Sequence, residues 1–313
     1  MPRRLSPTTL AHLLLLAVVI IWGATFVLIK DALQDASPLL FNLLRMTLAF
    51  VALATVNHRQ LHSIKPRSIL SGFIVGLFLA AGYQFQTTGL ARTTAAKSAL
   101  ITGLVVVFVP MFTVLPALRP SGTPPPRWSS AVGAILSFSG LLLLTTPVGT
   151  SWQNLFSSIG LGDLLTLFCA VAFAAHLLSL GHVSRGIPTA QLATLQIGLA
   201  ALLMAITLPL GGRPHLTLTL RLVTALAITS LLATAAAFTI QSWAQKYLPP
   251  THTAILLTLE PVFACITAFL VLHEHFGSRS LCGAALILIG IAFIELFPSN
   301  APIPIEPIPV DTI

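Results

Sequence analysis

Charge is what this chain has least of. Only 8% of its 313 residues are Asp, Glu, Lys or Arg, against about 25% in ordinary globular domains. A soluble protein with a solvated charged surface is excluded. Just 8 residues are acidic and they are scattered singly, so sites built on clustered carboxylates have no material here. Cysteine is equally scarce. Cys169, Cys265 and Cys282 each lie inside an apolar run without CxxC spacing, which argues against a disulfide framework or a zinc site. Lys and Arg number 16, for a net charge of +8. They occupy short connectors and form no stripe that would track phosphates, so nucleic acid is not an expected partner. Anionic lipid headgroups suit them better. No cofactor is implied.

What the chain has is hydrophobic length. Hydrophobic residues make up 56% of it, and the mean hydropathy is +0.94. A bilayer core takes about 20 apolar residues per helix. Runs of that length predict ten spans, near 10–30, 38–56, 69–90, 95–118, 129–147, 161–182, 188–210, 221–245, 251–273 and 279–297. The Met1-Pro-Arg-Arg opening resembles a signal peptide, but the apolar stretch after it is long and lacks a small-residue cleavage site. It reads as an uncleaved first span. With the N-terminus inside, Lys and Arg outside the spans divide 9 inside to 6 outside, which sets both termini in the cytoplasm. The tail 298–313 alternates proline with apolar residues and reads as disordered.

The spans repeat. Residues 72–115 pair without gaps onto 227–270, matching Leu77 to Leu232, Gln86 to Gln241, Ala99 to Ala254 and Phe108 to Phe263. Apolar identities are cheap in such a chain. The glutamine pair is not, because a buried amide in lipid needs partners. Five spans per unit force the copies into opposite orientations, an architecture that faces each side of a membrane in turn.

Polar residues within spans are the candidate site. Glu260 lies near the middle of the ninth span beside Pro261, so an ionisable group adjoins a helix that proline can kink or break. This pair suits gating or proton coupling; the alternative is that Glu260 merely fixes the kink. Tyr83 with Gln86, and Phe238 with Gln241, each set a ring one turn before an amide. In an inverted repeat these faces meet, and they suit a small solute. Trp22, His176 and Trp243 extend the same candidate cavity. Arg45 can meet an anionic solute group, snorkel to the interface, or pair with Asp31 or Asp35. Lys97 can bind solute or anchor the interface. Asp163 suits a helix N-terminus. Gly72-x-x-x-Gly76 and Gly133-x-x-x-Ser137 let helices approach closely. The histidines of His273-Glu274-His275 are spaced wrongly for a zinc motif.

These residues carry a resemblance. Ile21-Trp22-Gly23-Ala24-Thr25-Phe26, Leu44-Arg45, the stretch Thr93–Leu104, Gly162-Asp163-Leu164-Leu165, Leu259-Glu260-Pro261-Val262-Phe263, His273-Glu274 and Gly283–Gly290 together resemble the EamA-type drug/metabolite transporters. The pattern departs at Ala96, where glycine is frequent, and at His273, where glycine commonly precedes the glutamate. The resemblance implies an all-α integral-membrane fold of ten transmembrane helices in two inverted five-helix repeats. Residues 1–9 would be a cytoplasmic N-terminus, 10–147 the first repeat, 148–160 a loop, 161–297 the second repeat and 298–313 a cytoplasmic tail. It further implies a bacterial plasma-membrane transporter, often an exporter, of amino acids, purine-like compounds or drugs. Its partners would be a small-molecule substrate and the lipid bilayer, with possible proton coupling, as a monomer or homodimer. The rival reading is an integral-membrane enzyme acting on lipid, which would need polar groups clustered at one membrane face.

Overall fold

The computed structural model describes residues 6–121, 125–145, 160–272 and 277–296. The tail 298–313, most of the expected 148–160 loop and His273-Glu274 lie outside them. The described residues are helical, with one isolated bridge between Ala36 and Leu216. In chain order the helices are α1 Pro7–Ala32, α2 Pro38–Val56, α3 His58–Leu61, α4 Pro66–Leu90, α5 Ala95–Thr102, α6 Val105–Thr113 and α7 Trp128–Thr145. They continue as α8 Leu161–Val183, α9 Thr189–Thr207, α10 Leu220–Ser230, α11 Ala237–Ala244, α12 Pro250–Leu257, α13 Glu260–Leu272 and α14 Ser278–Leu296.

Proline and hydroxyl residues start these helices. Pro7, Pro38, Pro66 and Pro250 occupy first-turn positions, where a missing N–H costs nothing. Ser6, Thr94 and Thr219 cap α1, α5 and α10 by accepting a backbone N–H two or three residues on. The outward faces carry large apolar side chains such as Leu13, Val51, Leu70 and Leu202. In water those faces would aggregate; in a bilayer they meet lipid.

Among the described residues, eight helical stretches are long and apolar enough to cross a membrane: Pro7–Ala32, Pro38–Val56, Pro66–Leu90, Ala95–Thr113, Leu161–Val183, Thr189–Gly211, Leu220–Ala244 and Pro250–Val271. Helices α7 and α14 fall where two further spans were expected. They pack along each other, with Gly290 seated over Gly133 and Ser137. The Gly72/Gly76 pair works likewise. A Cβ at Gly76 would stand 2.8 Å from the Gln196 carbonyl, so α4 and α9 touch almost backbone to backbone.

The fourth and ninth spans are both broken. Helix α5 ends at Thr102 and α6 starts at Val105; α12 ends at Leu257 and α13 starts at Glu260. The two gaps, Gly103-Leu104 and Thr258-Leu259, are repeat mates. Proline foretold the second. It sits in the first turn of α13 and donates no N–H back across the gap. The first has no proline; there the chain tightens at Gly103, with Leu104 N–H donating to Ile101 and Val106 N–H to Gly103.

The eighth span departs from expectation differently. Between α10 and α11, Leu231–Ala236 form a π-turn. Burial along the span registers it. From the end of the turn onward the sequence pairing holds: Ala80 and Ala235, Tyr83 and Phe238, and Gln86 and Gln241 are all buried. Ahead of the turn the paired positions disagree: Gly72 is buried and Ala227 exposed, Gly76 buried and Leu231 exposed. Moving the pairing by one residue restores agreement, since Leu226 and Ser230 are buried as Gly72 and Gly76 are. The π-turn thus absorbs one extra residue relative to α4. The gapless alignment needs a one-residue gap there.

Candidate functional site

The two broken helices border one cavity, with α11 just beyond the π-turn on another side. Its walls come from α1 (Trp22, Thr25), α2 (Arg45), α4 (Tyr83, Gln86), the fourth-span break (Thr102, Gly103), α8 (Phe173, His176), α11 (Phe238, Gln241) and α13 (Glu260). Both halves of the chain contribute. The empty space is about 700 Å³, counting its open side, and its lining of rings and aliphatic side chains with a few polar groups has the composition of small-molecule sites.

Arg45 is its most constrained member. The side chain is 1% exposed and permanently charged. Its Nε donates to Thr234 Oγ1 at 2.7 Å, and Nη2 donates to Tyr83 Oη at 3.0 Å and to the Ala233 carbonyl at 3.2 Å. The guanidinium also lies over the Tyr83 ring, 4.4 Å from its centre. The Ala233 carbonyl accepts a second bond, from Trp22 Nε1 at 2.8 Å. The π-turn of the second half therefore holds Arg45 and Trp22 of the first.

The rings form a continuous wall. Phe238 lies 5.4 Å from Trp22, 6.0 Å from Tyr83 and 5.6 Å from His176, and Tyr83 meets Phe173 edge-on at 5.4 Å. His176 is held by its Nε2, 2.9 Å from Gln196 Oε1, while Gln196 Nε2 donates to Ser242 Oγ at 2.9 Å. With Gln196 Oε1 accepting, Nε2 is the donating nitrogen of the ring. Gln86 donates weakly to Thr102 Oγ1 at 3.4 Å. Gln241 is buried and its Oε1 has no partner. Glu260 is buried, lines the cavity and forms no ion pair with Arg45. Its backbone lies against Gly23, where a Cβ would stand 2.6 Å from the Glu260 carbonyl oxygen.

Of the residues singled out in the sequence, the cavity gathers Trp22, Arg45, Tyr83, Gln86, His176, Gln241 and Glu260. Pro261 stands beside it at the start of α13. Two lie elsewhere. Lys97 Nζ pairs with Asp163 Oδ2 at 2.6 Å, tying α5 to α8 at one end of the bundle. Asp163 also accepts from the Gly160 N–H, so it caps α8 as well. Trp243 packs on Tyr247 with ring centres 4.9 Å apart, beside Leu15 and Leu248. Asp35 does not reach Arg45; it is bound by Arg221.

Sequence reasoning missed Thr234, the Ala233 carbonyl, Phe173 and Gln196. One signal was available for Thr234. The gapless pairing sets it opposite Leu79, and a polar residue whose mate is core leucine invites the question of what it holds.

Comparison with known proteins follows the same lines. The model of the EamA-like transporter family matches twice, at residues 9–146 and 160–296. An uncharacterized transporter of Archaeoglobus fulgidus is 30% identical over 286 residues, covering 91% of this chain and 86% of that protein. The uncharacterized transporter YoaV of Bacillus subtilis is 25% identical over 290 residues, covering 90% and 95%. A chloroplastic WAT1-related protein of Arabidopsis thaliana is 28% identical over 305 residues, covering 94% and 71%. A solved crystal structure superposes with a TM-score of 0.72 at 18% identity, over 92% of this chain and 97% of that one. It carries the fold alone.

Proposed function

The chain belongs to the EamA-like transporter family, and on that premise we propose that this integral-membrane transporter moves one small solute at a time through its central cavity by alternating access. The observation that carries the reading is the cavity itself: both halves line it, at helix breaks occupying matching positions. Broken helices beside a buried site recur in transporters because the freed backbone and the hinge serve the same point.

In this reading α7 and α14 complete ten spans, grouped as repeats 10–147 and 161–297 with cytoplasmic termini. The second of those repeats is inverted. Glu260 at the start of α13 biases the ninth span between its inward and outward positions. The solute is a metabolite or drug-like compound moved outward across a plasma membrane. A lipid-modifying enzyme is not favoured, since the relatives are named transporters.

The test has two stages. Melting temperature in detergent is measured against amino acids, purines, polyamines and cationic drugs. A ligand bound only by the native state at a hundredfold excess over its Kd adds about 2.7 kcal/mol. Compounds that raise it are then followed in proteoliposomes by counterflow. The reading expects accelerated exchange of the stabilising class. Exchange no faster than in protein-free liposomes, for every compound that binds, would overturn transport.

A further inference from the structure

We propose that Thr234 is a positioning residue which, with the π-turn around it, fixes Arg45 as a subsite for the carboxylate of an organic acid inside the cavity. The inference rests on the reading of that cavity as the solute's path and adds the chemistry of what it takes.

Arg45 carries five N–H donors. Three are used by Thr234, Tyr83 and the Ala233 carbonyl, all neutral acceptors. Nη1, with the remaining two, has no hydrogen bond among the described residues, and Arg45 lines the cavity. A fully buried guanidinium hydrogen-bonded only to neutral groups carries a charge that no ion pair satisfies, and such charges are retained where something anionic neutralises them. Glu260, the acid on the cavity wall, attracts it across the cavity but makes no ion pair with it. The free Nη1 edge therefore offers two donors and a full positive charge to an incoming carboxylate oxygen. Trp22, Phe173 and Phe238 would cover an apolar or aromatic body attached to it.

Thr234 decides where that edge points. It is 0% exposed and receives the shortest of the three bonds. It lies within the π-turn beside Ala233, whose carbonyl takes a second bond from the same guanidinium. Without the hydroxyl, Nε loses its partner and the guanidinium is free to swing about its stem.

The experiment uses the purified full chain and matched pairs of acids and primary amides: phenylacetate with phenylacetamide, 3-phenylpropanoate with 3-phenylpropanamide, and cinnamate with cinnamamide. Calorimetric Kd and melting-temperature shift are read for wild type, Thr234→Val, Thr234→Ser and Arg45→Gln. Wild type is expected to favour at least one acid over its amide by about tenfold or more, the range of one charge-assisted hydrogen bond. Thr234→Val removes most of that preference by weakening the acid alone. Thr234→Ser restores it, and Arg45→Gln abolishes it. Equal affinity for acid and amide in every pair, or no binding of any acid, overturns the proposal. So does a Thr234→Val protein with the wild-type preference, its fold checked by an unchanged elution volume. Counterflow of a neutral or cationic solute, found together with no acid preference, overturns the subsite and leaves the transporter reading standing.

Discussion

Tyr83 and Phe238 occupy the same place in the two halves of the chain and meet each other edge to face, with ring centres 6.0 Å apart and planes at 72°. One mate carries a hydroxyl that binds Arg45; the other carries none and packs against Trp22 and His176. A symmetric scaffold thus presents one polar and one apolar wall to the same cavity.

Phe238→Ala tests that wall. The substitution removes ring contacts to Trp22, Tyr83 and His176, each worth about 0.5–1.5 kcal/mol. The melting temperature in detergent should fall by several degrees. Phe238→Leu, which keeps most of the volume, should recover more than half of the loss.

Arg221 grips Asp35 with two bonds, Nε to Oδ2 at 2.8 Å and Nη2 to Oδ1 at 2.8 Å. It ties the loop after α1 to the start of α10, between the two halves. The guanidinium holds the Asp35 carboxyl down at about 2 from an ordinary 3.8, with help from the Thr219 hydroxyl. A depressed carboxyl stabilises the fold above its unfolded value, and that share is lost as pH falls through the folded value. Wild type should therefore melt higher than Asp35→Asn at pH 7, and the gap should close between about pH 4 and pH 2. A gap that stays constant over that range would remove the ion pair from the account.

Gly23 is the contact between α1 and α13. A Cβ there would stand 2.6 Å from the Glu260 carbonyl oxygen and 2.7 Å from Phe263 Cβ. A backbone oxygen cannot step aside as a side chain does. Gly23→Ala should cost about 1–3 kcal/mol, the usual penalty of overpacking, and Gly23→Val more. Thermal melts of both variants, with Ala24→Val as a neighbouring control, measure it.

Glu260→Gln should leave the melting temperature near that of wild type, because the carboxyl makes no hydrogen bond or ion pair among the described residues and loses only its attraction to Arg45. Arg45, Tyr83 and His176, the other titratable groups on the cavity wall, stay in place. Flux in proteoliposomes should lose its dependence on pH if Glu260 exchanges a proton during the cycle. A pH profile identical to wild type would confine Glu260 to the helix break.

Much of this was legible beforehand, for definable reasons. Apolar runs of bilayer length locate helices because the bilayer tolerates little else. Gln86 and Gln241 pointed to the cavity because an amide in lipid is rare enough to notice. Pro261 announced the ninth-span break. The matching break at Gly103 was hidden, since a single glycine in an apolar run has many uses. The π-turn was illegible. Leu231–Ala236 reads as ordinary helix, and what marks the turn is distant: Trp22 and Arg45 donate to Ala233 from other helices. Lys97 reads as a solute ligand or an interfacial anchor and Asp163 as a helix cap, and nothing local says that they pair. Trp243 was grouped with the cavity for being aromatic near Gln241; its ring turns to Tyr247 instead.

The surplus residue in the π-turn has a consequence for the energetics of the whole molecule. Perfectly interchangeable halves would make the two end states of a rocking motion mirror images of equal free energy. Here one half lacks the turn that clamps Arg45, and no rotation can supply it. Swapping the roles of the halves must remake or break those bonds on one side only. In the proposed alternating-access cycle the two end states would thereby be unequal, and the resting population would be tilted toward one side of the membrane before any solute arrives.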